Sequence, residues 1–370
     1  MRTNRIIFTR KIFITALFVT FLFLIGCGEV KRPAEGKEDV ITVIADSSDF
    51  TRLEQPLTAV FGKKIITPQQ EQLFYLKREN IEKLPVYKNK KNILIIAPLD
   101  GNNQVSKFIR SMLDSAVTES VMEDSAFVFN KYNLWADGQL VMIMTSADIN
   151  TLIKNIDKEH DNLLFYFQKM SNKRLAQALY NGKYEKKNIE AKFLKNYGWM
   201  IYVQADYYLA KDAPEDNFIW LRRSPGSDME RWIFVHWIDN ASPALLEPDS
   251  VTAIRNRMTK KYYRAMDDTS YVQTVKDYTT ISEVDFLGRY ALMTNGLWRM
   301  SDKSMGGPFI SYTFYDENTK RIYMLDGSIF APKFEKKKLI QQVDVTLQSF
   351  LTEQQVKPER KEDIMKHLDE

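Results

Sequence analysis

Cysteine is almost missing: Cys27 is the only one in 370 residues. The chain can form no internal disulfide and no thiolate metal site, so its folded body must rest on an apolar core. An aromatic content of 12% fits that requirement. Histidine is scarce too. His160, His236 and His367 show no metal-ligand spacing and no His-Glu-x-x-His. His236 lies between aromatic residues in a strand-like run, where a structural role is the plainer reading. The chain also lacks a Gly-x-Ser-x-Gly elbow, a Ser-x-x-Lys pair and a phosphate-cradling glycine loop. These absences argue against zinc, histidine-based and serine hydrolysis. No catalytic residue, metal site or cofactor is expected.

A surplus of charge is missing as well. Four of the 52 basic residues (Arg2, Arg5, Arg10 and Lys11) precede Cys27 and no acid does, so from Cys27 onward the basic and acidic residues balance at 48 each. A nucleic-acid binder carries a basic excess, so nucleic acid is not an expected partner.

What is present begins with a leader. The basic start is followed by an apolar run from Ile12 to Ile25, then Gly26 and Cys27. This is the layout of a secretory signal, and the run is too short for a spanning helix. Residues 1–26 therefore read as a lipoprotein signal peptide, with Cys27 as the acylated (diacylglyceryl and palmitate-type) residue of the mature chain. Two or three acyl chains hold a protein to a bilayer effectively permanently. Residues 27–39, polar with Pro33 and Gly36, read as a flexible tether. The expected location is the cell envelope, membrane-anchored and facing the periplasm.

Beyond the tether the pattern predicts an α+β fold with mainly antiparallel sheets and packed helices. Val40–Ala45, Gln72–Leu76 and Asn92–Ala97 are strand-like. Ala126–Tyr132 and Gln139–Thr145 carry a hairpin signature across Trp135–Gly138. Helical spacing runs through Val105–Ala116 and Ile149–Phe167. In the second half, strands are predicted at Trp199–Gln204, Phe218–Arg222, Arg231–Trp237, Tyr290–Arg299, Pro308–Tyr315 and Arg321–Phe330. A helix capped by Ser250 and another over Leu339–Phe350 complete it. The expected division is an N-terminal subdomain at 40–170, a helical connector at 171–198, a C-terminal subdomain at 199–352 and a frayed charged tail at 353–370. The halves read as two related split βαβ-like units.

Gly296-Leu297-Trp298, Met305-Gly306-Gly307-Pro308-Phe309, Asp326-Gly327 and Ala331-Pro332-Lys333 follow one another in the second half. Upstream stand Pro68-Gln69-Gln70-Glu71 and Lys91-Asn92-Ile93-Leu94. With the leader, this set resembles an uncharacterised bacterial lipoprotein family known as a domain of unknown function. The resemblance implies an envelope location and one architecture, and it implies no activity.

Weak ligand-binding candidates remain. Arg222 or Arg223, at a strand end, would clamp an anion through a bidentate fork, although a pairing with nearby acids such as Asp228 or Glu230 explains them as well. Trp298, like Trp135, would stack on a sugar or seat a partner, although a single tryptophan more often completes a core. Glu283 and Asp285 would share a strand face, as glycan cleavage by two acids requires. Asp100-Gly101-Asn102-Asn103 offers oxygens suited to calcium but more plainly makes a turn. Met305-Gly306-Gly307-Pro308 reads as a reversal needing positive φ. The leading expectation is a non-enzymatic binding or assembly module, with an envelope protein or glycan as partner. The alternatives are an envelope hydrolase with paired carboxylates and a carrier of lipid or another apolar ligand.

Overall fold

The computed structural model describes residues 31–224 and 229–370. The leader, Cys27 and residues 225–228 lie outside the described residues.

The N-terminal half is built on five strands: β1 (Val40–Ile44), β2 (Tyr75–Glu79), β3 (Asn92–Ile96), β4 (Val128–Tyr132) and β5 (Leu140–Met144). Their order is β2-β1-β3-β5-β4. The first three pairings are parallel and only β4 runs antiparallel, in the register Tyr132↔Leu140. A parallel sheet is covered on both faces, so its strands are apolar throughout. In β3, Leu94 and Ile96 point into one core, and Ile93 and Ile95 into the other. The first core is closed by α1 (Ser47–Phe61), α4 (Ile149–Lys158) and α5 (His160–Leu179), the second by α2 (Gln104–Met112) and α3 (Ser115–Met122). Asp46, Asn103, Asp114 and Asp148 each accept a backbone N–H at the start of α1 to α4. Such caps satisfy amides that a helix start leaves open.

The C-terminal half is a seven-stranded antiparallel sheet. It comprises β6 (Tyr208–Ala213), β7 (Phe218–Arg223), β8 (Glu230–Ile238), β9 (Val272–Phe286), β10 (Arg289–Met300), β11 (Gly306–Asp316) and β12 (Arg321–Phe330), ordered β9-β10-β11-β12-β8-β7-β6. One face is covered by α7 (Pro248–Tyr262), through Val251, Ile254 and Met258. The other is covered by α6 (Lys187–Tyr197) and α8 (Lys337–Leu347), through Phe193, Leu339, Val343 and Leu347.

The class is α+β, and nine of the twelve strand pairings are antiparallel. The two halves nevertheless differ: one sheet is parallel at its centre, the other an antiparallel meander, so the expected kinship of two split βαβ units is not seen. Ser250 does not cap α7. That helix begins two residues earlier at Pro248, whose missing N–H and fixed φ suit a first turn. The Gly306-Gly307 pair does not adopt positive φ; the residue that does so in this turn is Lys303. The glycines are needed for space, because a Cβ on Gly307 would stand 1.9 Å from the Ile329 carbonyl oxygen.

Two segments expected to be loose are docked. In the predicted tether, Ala34 N–H donates to the Asp137 carbonyl (2.7 Å) and Glu35 N–H to that of Asn89 (2.8 Å). In the predicted frayed tail, Pro358–Met365 forms α9, with Ile364 fully buried against α6. The halves meet at α8: the Glu71 carboxylate accepts the N–H groups of Lys336 and Lys337 at its start, each at 2.8 Å. A carboxylate there also complements the helix dipole.

Candidate functional site

The residues singled out in the sequence lie in three different surroundings. Arg222, on β7, forks onto Glu230 of the neighbouring β8 at 2.9 and 2.7 Å, and Glu230 also accepts Trp232 Nε1 at 2.7 Å. Burial works against ionisation there, but the Arg222 and Trp232 bonds hold the Glu230 carboxyl below its usual range. Arg223 pairs with Asp206. Both guanidiniums are thus engaged by nearby acids, Glu230 of β8 and Asp206 just before β6. Trp298 is only 1% exposed and donates Nε1–H to the Ile329 carbonyl at 3.2 Å. Its ring packs on Trp232, so it is a core residue and offers no stacking platform. Trp135 is half-buried against the α2 core.

Glu283 and Asp285 stand exposed on β9, the outermost strand, and Asp285 accepts the Gly288 N–H at 2.8 Å. His236 is buried with Nδ1 3.0 Å from the Asn217 carbonyl, and burial pushes its pKa down, favouring the neutral ring. Asn103 serves as the α2 cap. Among the described residues, no group of three or more His, Cys, Asp or Glu side chains is placed to hold a metal ion.

The strongest electrostatic feature is one the sequence reading missed. Arg255 of α7 is sealed between helix and sheet. Its Nε donates to Asp326 Oδ2 at 2.6 Å, Nη1 to Thr274 Oγ1 at 3.0 Å, and Nη2 to Ser328 Oγ at 3.2 Å. The guanidinium lies 3.5 Å over the Phe309 ring centre. Burial pushes the Asp326 carboxyl up while Arg255 pulls it down. The recognised motifs build this cage: Trp298 pairs with Thr274 across β10 and β9, Phe309 lies against the guanidinium, Gly307 lets β11 close on β12, and Asp326 is its acid. A sign was present in the sequence, since Arg255 shares the apolar face of Val251, Ile254 and Met258. Arg255 and Asp326 are buried at 1% and 0% exposure, and the cage ties the sheet to α7.

The open site lies elsewhere, where strand ends and hairpins of the second sheet meet the end of α6. A solvent-open basin of about 720 Å³ is lined there by Tyr197, Asp239, Asn240, Thr319, Arg321 and Gln354, among others. Arg321 organises it. Its Nε donates to Asp239 Oδ1 and its Nη1 to the Tyr197 carbonyl, both at 2.6 Å, and its guanidinium lies 5.9 Å from the Trp237 ring centre. The Tyr197 hydroxyl donates to Asp212 at 2.5 Å; burial and that carboxylate push its pKa up, so it stays protonated. Asn217 supplies Asp239 with a second donor at 2.9 Å. The rim is held by left-handed backbone at Asn240 (φ 51) and Gly198 (φ 73). The basin therefore combines paired charges, amides, a hydroxyl and a tyrosine edge. A cleft of about 340 Å³ between α1 and β2, lined by Phe50, Thr58, Phe74 and Leu76, is smaller.

Two family models match this chain, both described as domains of unknown function: DUF8532 over residues 34–180 and DUF4837 over residues 185–349. Their boundary falls between α5 and α6. The expected likeness to an uncharacterised domain family is borne out, and neither match speaks to a lipid anchor. No curated protein matches the sequence. Among solved structures, a point mutant of the protein Mog1 is 8% identical with a TM-score of 0.28, covering 42% of this chain and 90% of that one. The Ran-binding protein Mog1p of Saccharomyces cerevisiae gives the same values. LpqN, involved in cell envelope biogenesis of Mycobacterium tuberculosis, is 12% identical with a TM-score of 0.27, covering 41% and 81%. Likeness at this level carries nothing about function. Among the described residues, no helix is long and apolar enough to cross a membrane.

Proposed function

We propose that this chain of two domains of unknown function is a lipid-anchored protein of the cell envelope that works by binding, and that the basin around Arg321 is where it meets its ligand, a hydroxyl-rich envelope glycan. The anchor rests on the leader: a basic start, an apolar run, then Gly26-Cys27. The observation that carries the binding reading is the chemistry of the basin. Arg321 is paired with Asp239 and the lining Glu353 with Lys361 outside the basin, and amide, hydroxyl and tyrosine groups line the rest. Such a surface offers donors and acceptors to sugar hydroxyls without demanding a charged ligand.

The acids with raised pKa (Glu190, Asp326, Asp344 and Asp49) do not line the basin. Glu190 is pushed up to about 8 by burial and by neighbouring Glu185, and it is fully buried. Asp326 is sealed under α7. A hydrolase would place such groups in an open cleft.

Titration calorimetry with soluble envelope glycan fragments tests the reading. Binding that weakens about tenfold or more in Gln354→Ala or Arg321→Lys supports it, because losing one good hydrogen bond costs about 1–2 kcal/mol. Binding that both variants leave unchanged removes the basin from the account, and turnover of the glycan would replace binding with hydrolysis. Mass spectrometry of natively produced protein tests the anchor separately, through a diacylglyceryl thioether on Cys27.

A further inference from the structure

The anchor has a geometric consequence. Lys31 follows Cys27 by four peptide units, and four units reach at most about 15 Å. From Lys31 onward the chain is fastened to the body. Lys31 Nζ donates to the carbonyls of Asn133 (2.6 Å) and Leu134 (3.1 Å), and Asp137 N–H donates to that of Arg32 (2.9 Å). On the other side, Lys91 N–H donates to the Glu35 carbonyl at 2.9 Å. The receiving loops are fixed in turn. The buried amide of Gln139 donates to the Lys88 and Lys90 carbonyls at 2.6 and 2.7 Å, and Arg174 donates to the Gly138 carbonyl at 2.9 Å. No slack remains between the described start of the chain and the first sheet.

The topology says what else stands there. β1, β3 and β5 are parallel, and β4 runs back so that Tyr132 lies opposite Leu140. Residues 31–39, 86–91 and 131–138 therefore gather at one end of the sheet, outside the amino ends of the parallel strands. These segments hold seven lysines and arginines against four acids, whereas the rest of the chain from Cys27 holds 41 against 44. Lys90 and Lys91 are paired with Glu35 and Glu38, while Arg32, Lys88 and Lys131 stand exposed. Beside them two large apolar side chains face water: Val86 is 74% exposed and Tyr132 52%.

We infer that this end of the N-terminal domain is a membrane-facing surface that lies on a bilayer carrying anionic headgroups. The inference rests on the anchor at Cys27. Arg32, Lys88 and Lys131 sit at the phosphate layer, which attracts basic side chains near a lipid attachment point. Tyr132, with an apolar ring and a polar tip, and Val86 enter the boundary between headgroup and acyl chain. A short link and a docked start bring the same face to the bilayer each time, so the body is held in one orientation and does not swing on a tether.

Cysteine scarcity makes the test clean. In the acylated protein the Cys27 sulfur is consumed, so one introduced cysteine is the sole free thiol. Tyr132→Cys and Lys88→Cys place a fluorophore on the proposed face. Met122→Cys, at a position 58% exposed at the end of α3, places it beside the Val128 end of β4, across the sheet. The full acylated protein is reconstituted in phosphatidylcholine vesicles, with and without phosphatidylglycerol, containing a lipid-borne quencher. Several-fold stronger quenching at 132 and 88 than at 122 is expected with phosphatidylglycerol, and it should fall with added salt or in Lys88→Glu/Lys131→Glu. Equal quenching at all three positions, or quenching indifferent to phosphatidylglycerol, overturns the inference while leaving the anchor standing. An unacylated native protein overturns both.

Discussion

The two sheets reach stability by different routes. In the N-terminal domain the three central strands VITVI, NILII and LVMIM are apolar on both faces, and helices cover both. In the C-terminal domain the antiparallel sheet is also covered twice, yet under α7 it buries a guanidinium, a carboxylate and a row of hydroxyls. Thr294, Ser311 and Asp326 stand side by side on β10, β11 and β12. An apolar core loses only packing when a side chain is trimmed. An ionic core also strands the partner that is left behind.

The largest effect should follow from breaking the ionic core. Arg255→Ala leaves Asp326 buried without its partner and should cost about 4 kcal/mol in chemical denaturation. The double variant Arg255→Met/Asp326→Leu sharpens the contrast, since removing both charges together should bring stability back to within about 1 kcal/mol of wild type. A double variant as unstable as the single one would mean that packing, and not the stranded charge, dominates. On the apolar side, Leu94→Ala opens a cavity in the first core and should cost about 3 kcal/mol. No second substitution that merely neutralises a charge should rescue it.

The smallest expected effect concerns pH and the joint between α6 and α9. Glu190 accepts Val203 N–H at 2.8 Å and Arg360 Nη2–H at 2.9 Å, with Glu185 sharing the same arginine. Its pKa of about 8 lies above the ordinary value of 4.5. Between those values the folded protein keeps a proton that the unfolded chain releases, so stability falls as pH rises through that window. Glu190→Gln retains the acceptor for Val203 and cannot ionise. From about pH 6.5 to about pH 8 its stability should rise relative to wild type by on the order of 2 kcal/mol. A constant gap between the two proteins across that range would refute the raised pKa.

Legibility differed between the halves for a physical reason. Strands buried on both faces are written as unbroken apolar runs, and β1, β3 and β5 were found from them. Their parallel pairing was not, because the hairpin between β4 and β5 is a local signal while β1 beside β3 is set by a long crossover. Of β9 only the stretch around Glu283 and Asp285 was legible, because it is an edge strand, mostly exposed, with a bulge between Val275 and Thr279. The docking of α9 was hidden by its charged composition, although Arg360 and Ile364 supply its contacts. For the site, the motifs drew attention to Trp298 and Gly307, which turned out to build the sealed cage. The basin assembles Tyr197, Asp239 and Arg321 from separate elements and carries no local signature.

By itself the sequence determined the α+β class, the positions of the apolar strands and the balance of charge, because each follows from composition or from spacing within a few residues. Only the tertiary structure decided which strands pair, that Arg255 meets Asp326 across 71 positions, and that the chain from Lys31 onward is fastened down. Those outcomes depend on contacts between residues far apart in the chain, whose partners are chosen by the packing of whole layers and not by any neighbourhood of the sequence.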